Sequence, residues 1–140
     1  MSVTTLPSDR RRRRSAKTLE ALTYQLEHIF RREDLHNFTL CDTRGLVVAQ
    51  AGNKRESEVL AAFSPMLSRS VSRRYRHQVF SRINNLLPTI TADSIHVRRF
   101  DIEGETLFLT LVGRPGVYQD VSLYRAITGV RRIFDERPAA

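Results

Sequence analysis

The stretch from Asn53 to Leu87 constrains this chain more than any other. Val59, Leu60, Phe63, Met66, Leu67, Val71, Val79, Phe80, Ile83, Leu86 and Leu87 recur in it at steps of three, four and seven, which places them on one helical stripe. The opposite face carries Arg69, Arg73, Arg74, Arg76, His77 and Arg82. Asn53 followed three residues later by Glu56 gives the start: the Asn side chain can accept from a first-turn N–H, and the Glu can reach back. The stretch therefore predicts an amphipathic basic helix.

One unbroken helix of that length is too long. At 1.5 Å per residue it would run ~50 Å, against a diameter of ~35–40 Å for a globule of this size. Pro65 lacks an N–H and its ring crowds the preceding turn, at a cost of about 3 kcal/mol in a helix interior. The expected break is at Ser64-Pro65, with Ser64 as a new N-cap and Pro65 at the first helical position. The alternative is a kinked helix that overshoots the domain and meets a partner.

Shorter apolar runs flank this stretch. Leu19, Leu22, Leu26, Ile29 and Phe30 predict a first helix, capped by Ser15 or Thr18 and ending near Glu33-Asp34. Phe38 to Cys41 and Leu46 to Ala49 read as strands joined by Asp42-Thr43-Arg44-Gly45, where Asp at the first and Gly at the fourth position fit a type I turn. The further carboxylates of a calcium loop are missing. Ile95 to Ile102 predicts a third strand with Ile95, Val97 and Arg99 on one face and His96, Arg98 and Phe100 on the other. Arg98-Arg99 is hard to bury and marks a sheet edge. Thr106 to Val112 is nearly all apolar and reads as a central strand covered on both faces. After the loop Gly113-Arg114-Pro115-Gly116, Gln119 or Asp120 starts a last helix with Leu123, Ile127, Val130 and Phe134 on its stripe, and Pro138 ends the ordered chain. The order α-β-β-α-β-β-α predicts an α+β domain over residues 15–137, an antiparallel sheet of four to five strands packed with helices. Residues 1–14, with Pro7 and the run Arg10, Arg11, Arg12, Arg13 and Arg14, predict a disordered basic tail.

Charge sorts the possible partners. The net charge is +8. Met1 to Lys17 hold six basic residues and one acid, and Lys54 to Arg82 hold seven basic and two acidic residues, while the rest is slightly acidic. The excess thus sits in the tail and on one helix, and polyanions, anionic membrane surfaces and acidic proteins all suit such patches. The bland alternative is a solvated face. Cys41 is the single cysteine, so no disulfide forms within the chain and no thiolate cluster holds a metal. It reads as a small core residue. No run is long enough for a membrane span and no secretory signal follows Arg14, so a cytoplasmic protein without a cofactor is expected.

His28, His36, His77 and His96 are scattered over different elements, and no nucleophile elbow, His-Glu-x-x-His or paired cysteine motif occurs. The residues do not point to an enzyme. Phe38-Thr-Leu-Cys-Asp-Thr-Arg-Gly-Leu-Val-Val-Ala, placed after a short helix and before the helix beginning Glu56-Ser-Glu-Val-Leu-Ala-Ala, resembles the opening hairpin of roadblock/LC7 domains. The likeness would span Lys17 to Arg137. It implies a roadblock/profilin-like fold and a small cytoplasmic homodimer that binds or regulates a Ras-like GTPase or its polarity or motor complex. It further implies a dimer interface that includes Val59, Phe63, Met66, Leu67, Ile95 and Val97, and it transfers no catalytic residue. Beside this stand a nucleic-acid-binding module using Arg10–Arg14 and the Arg69–Arg82 face, and a GAF- or PAS-like sensor.

Overall fold

Leu22, Leu26 and Ile29 are all buried along one side of helix α1 (Ala16–Arg32), so the stripe that predicts this helix is the face it packs. The computed structural model describes residues 16–70, 72–114 and 119–136. Outside them lie the expected tail with Arg10–Arg14, the capping candidate Ser15, Val71, the loop residues Pro115 and Gly116, and Pro138. Thr18 is buried within the first turn of α1 and does not cap it. After α1 come β1 (Asn37–Asp42), β2 (Val47–Gly52), α2 (Lys54–Ser68), α3 (Arg73–Leu86), a 3-10 turn at Ala92–Ser94, β3 (Ile95–Ile102), β4 (Glu105–Val112) and α4 (Asp120–Glu136).

The strands form one antiparallel sheet in the order β2-β1-β4-β3. β4 is central and buried along most of its length, and β3 is an edge strand with Arg98 and Arg99 exposed, as their sequences predict. Phe38, Leu40, Leu107, Leu109, Leu111 and Phe100 face α1 and α4 across one core. A second core on the α2 and α3 side joins Leu60, Phe63, Leu67, Val79, Ile83, Ile95 and Val112. The expected α+β class is correct, and helices cover both faces of the sheet.

The turn between β1 and β2 forms as its residues dictate. Asp42 Oδ1 accepts from the backbone N–H of Arg44 at 2.9 Å and of Leu46 at 3.1 Å, and Gly45 sits at φ +77. Asn53 caps α2, its Oδ1 accepting from the Glu56 N–H at 3.0 Å. Glu56 does not complete the reciprocal cap. Its carboxylate is turned toward His36 instead, with an oxygen 2.8 Å from Nε2. Asn53→Ala should cost about 1 kcal/mol by chemical denaturation, because Ala offers the first turn no acceptor.

The long central segment breaks later than expected. Pro65 lies inside α2, Ser64 caps nothing, and α2 runs on to Ser68 before α3 starts at Arg73. Ser72 supplies the cap of α3, accepting from the Tyr75 N–H at 3.1 Å. Pro65 is tolerated because the carbonyl its missing N–H would satisfy, Ala61 O, accepts from Cys41 Sγ at 3.7 Å. Ser64 Oγ donates to Leu60 O at 2.6 Å and lies 2.5 Å from Thr110 Oγ1. The element order is therefore α-β-β-α-α-β-β-α: the expected break divides the central segment into two helices, each roughly 21–23 Å long by the 1.5 Å rise, and it falls after Ser68 instead of at Ser64-Pro65.

Candidate functional site

α2 is seated on the sheet by small and polar side chains. Ser57, Ala61 and Ser64 recur at helical spacing and meet Asn37, Cys41 and Thr110, which alternate with the apolar residues of β1 and β4. Asn37 Nδ2 donates to Ser57 Oγ at 3.0 Å, Thr39 Oγ1 donates to Asn37 Oδ1 at 2.6 Å, and Ser57 Oγ donates to Gln50 Oε1 at 2.9 Å. Asn37, Thr39, Ser57, Ser64 and Thr110 are each fully buried, so this network fixes the register of α2 through directional bonds. Nothing in the linear sequence pairs these groups, and the Ser57-Ala61-Ser64 stripe was the signal available.

Cys41 belongs to the same interface. Burial pushes its thiol up from the ordinary 9.0 to about 12, a hydrogen bond with Ser64 pulls it back in part, and the Asp42 charge adds to the rise. The neutral thiol is the form the folded chain holds. Stability tied to it is complete below about pH 9 and falls as pH climbs toward about 12, because only the unfolded chain releases the proton easily in that window. A thiol reagent at about pH 8 should leave Cys41 unmodified until denaturant is added.

The outer half of this layer is α3 with its arginines. Arg69, Arg73, Arg74, Arg76 and Arg82 are all exposed. Arg69 Nε donates back to Pro65 O at 3.3 Å. Arg76 lies over the Phe80 ring and Arg82 over the Phe63 ring, each 5.2 Å from the centroid. Among the described residues none of the five is within ion-pair distance of a carboxylate. The structure gathers Arg73, Arg74 and Arg76 in the first turn of α3, while Arg69 sits at the end of α2 and Arg82 reaches back across it.

The residues expected at a dimer interface divide into two groups. Phe63, Leu67 and Ile95 are buried and packed with Val79 and Ile83 of α3. Val59, Met66 and Val97 are half-buried around that cluster. β3 carries no strand beyond it among the described residues. Its charges are tied along the chain or to α4: Arg98 lies 3.6 Å from Asp120 and Arg99 lies 3.8 Å from Asp101. A cavity of about 300 Å³ opens beside α3, lined by His77, Phe80, Ile83, Asn84, Ile90 and Ile95. Asn84 Nδ2 is already committed to Ile90 O at 2.8 Å. Among the described residues no cluster of His, Cys, Asp or Glu has the composition to hold a metal, and no helix is long and apolar enough to cross a membrane.

This arrangement, a four-strand antiparallel sheet between two helical layers opened by an Asp-x-x-Gly hairpin, is the roadblock fold. Among solved structures the chain is similar to Myxococcus xanthus MglB, with a TM-score of 0.55 and 8% sequence identity, over 91% of this chain and 97% of that one. At that identity the likeness is one of fold. No family model matches the sequence, and no curated protein matches it.

Proposed function

We propose that this chain is a non-enzymatic, homodimeric scaffold or regulator in the cytoplasm that binds a protein partner, a small Ras-like GTPase or the polarity or motor complex around one. The observation that carries the reading is the roadblock fold with an open edge strand, β3, beside the half-buried apolar residues Val59, Met66 and Val97. An edge strand offers unpaired N–H and C=O groups to a second chain, and the neighbouring apolar side chains supply area that gains from burial. A second copy joined along β3 would extend the sheet and cover them together.

The test is an affinity pull-down with the full chain from lysate of the source organism, with and without nuclease. A small GTPase retained after nuclease treatment, and bound again when both proteins are purified, supports the reading. No retained GTPase, with no binding of a purified Ras-like GTPase in either nucleotide state, overturns it.

A further inference from the structure

The two helical layers differ in charge. Helices α1 and α4 together hold six basic and five acidic residues, whereas the segment from Lys54 through Leu86 holds seven basic and two acidic ones. Both of those acids, Glu56 and Glu58, precede Val59, and no Asp or Glu occurs from there to Ala92. The sheet thus separates a nearly neutral side from a strongly positive one, and the positive side culminates in α3.

The start of α3 breaks the ordinary rules for a helix end. The free N–H groups of a first turn favour negative neighbours, yet this first turn carries Arg73, Arg74 and Arg76 and no acid. Arg73 and Arg76 are three apart, on one face, where like charges repel. Every residue from Ser72 to Gln78 is exposed, and the first buried side chain of α3 is Val79. The Ser72 cap and the Phe80 ring under Arg76 offset part of this cost, but among the described residues no carboxylate lies within ion-pair distance of these arginines, and a binding partner of opposite charge would supply that compensation.

We infer that the first two turns of α3 dock on the phosphate backbone of duplex DNA, with Arg73, Arg74 and Arg76 neutralising phosphates. The neighbouring exposed residues favour this occupant over others. Gln78, Ser81, Asn84 and Asn85 are polar, and the large apolar side chains exposed on α3 are Tyr75 near its start and Leu86 at its end. A protein interface needs a buried aromatic or aliphatic centre, while a DNA interface is more polar and far more positive. A membrane would take up an apolar helix face, but Val79 and Ile83 are turned into the protein core. An α-helix about 10–12 Å across fits the major groove of B-form DNA, about 12 Å wide. The deep, narrow major groove of duplex RNA does not admit it. The inference rests on α3 alone and is independent of the scaffold reading.

The test is fluorescence anisotropy of a short labelled DNA duplex titrated with the full chain between about 50 and 200 mM salt. The wild type should bind with an affinity that falls linearly with salt on logarithmic axes. Arg73→Gln/Arg74→Gln/Arg76→Gln should weaken binding at least about tenfold and flatten the salt slope by about 2–3, close to one per lost phosphate contact. Arg31→Gln/Arg32→Gln/Arg132→Gln removes the same charge from exposed positions on the opposite layer and should stay within about twofold of wild type. Equal unfolding midpoints for the three proteins confirm that the folds are intact. An α3 variant that binds like the wild type, equal losses in both variants, or wild-type binding to phosphatidylserine vesicles but not to the duplex would each overturn the inference.

Discussion

Gly45→Val is expected to lower the unfolding free energy by about 3–5 kcal/mol, the sum of backbone strain and overpacking. Gly45 sits at φ +77, where a β-branched residue is a severe outlier. A Cβ there would lie 3.0 Å from Ala62 Cα and 3.2 Å from Ala61 O, both backbone atoms of α2. Neither can retreat cheaply, because Ser57 and Ser64 tie α2 to Asn37 and Thr110 on the sheet. Gly104→Val makes the control: its φ is +75, but nothing lies within 4 Å of the added Cβ. It should cost only the strain, about 1–3 kcal/mol. The difference between the two urea midpoints reads the contact between the hairpin turn and α2. A domain of this size is stable by about 5–15 kcal/mol, so the first variant should fall near the edge of folding at physiological temperature, whereas equal losses in the two would mean that the turn does not press on α2.

Ile83→Asp should detach α3 and leave the sheet standing. Val79 and Ile83 are the two buried residues of α3, 2% and 1% exposed. Burying each is worth about 1.5–3 kcal/mol, so about 3–6 kcal/mol holds the helix down. A carboxylate cannot replace Ile83 in that cluster without a partner, and undocking α3 costs less than burying the charge. The core on the other side of the sheet draws on α1 and α4 and contains no residue of α3. Hydrogen exchange should therefore show α3 amides losing protection while those of β1 and β4 keep theirs. The exposed Phe63 and Leu67 should make the variant self-associate. Uniform loss of protection across all elements would show that α3 is an integral part of one cooperative core.

Local chemistry was legible in the sequence, and long-range compensation was not. The hairpin turn was readable because Asp42 bonds within its own four residues. β3 was readable because Arg98 and Arg99 cannot be buried, and β4 because its apolar run suits a strand covered on both faces. The helix breaks later than its sequence predicts because the cost of Pro65 is local while its remedy, the Cys41 thiol on Ala61 O, joins residues 20 apart in the chain. Glu56 is likewise turned toward a group that its own helix start does not contain, His36, 20 residues earlier in the chain. Among the candidate interface residues, apolar spacing alone could not separate Phe63, Leu67 and Ile95, which meet α3, from Val59, Met66 and Val97, which remain half-buried. A stripe of period 3.6 names a face and leaves open what covers it.

The most direct measurement is the mass of the full chain in solution by sedimentation equilibrium over a wide concentration range. A homodimeric scaffold joined along β3 predicts a species of twice the 16.1 kDa chain mass, shifting toward the single chain when Val97 is replaced by Asp. A strict monomer of 16.1 kDa at the highest concentrations reached would contradict it.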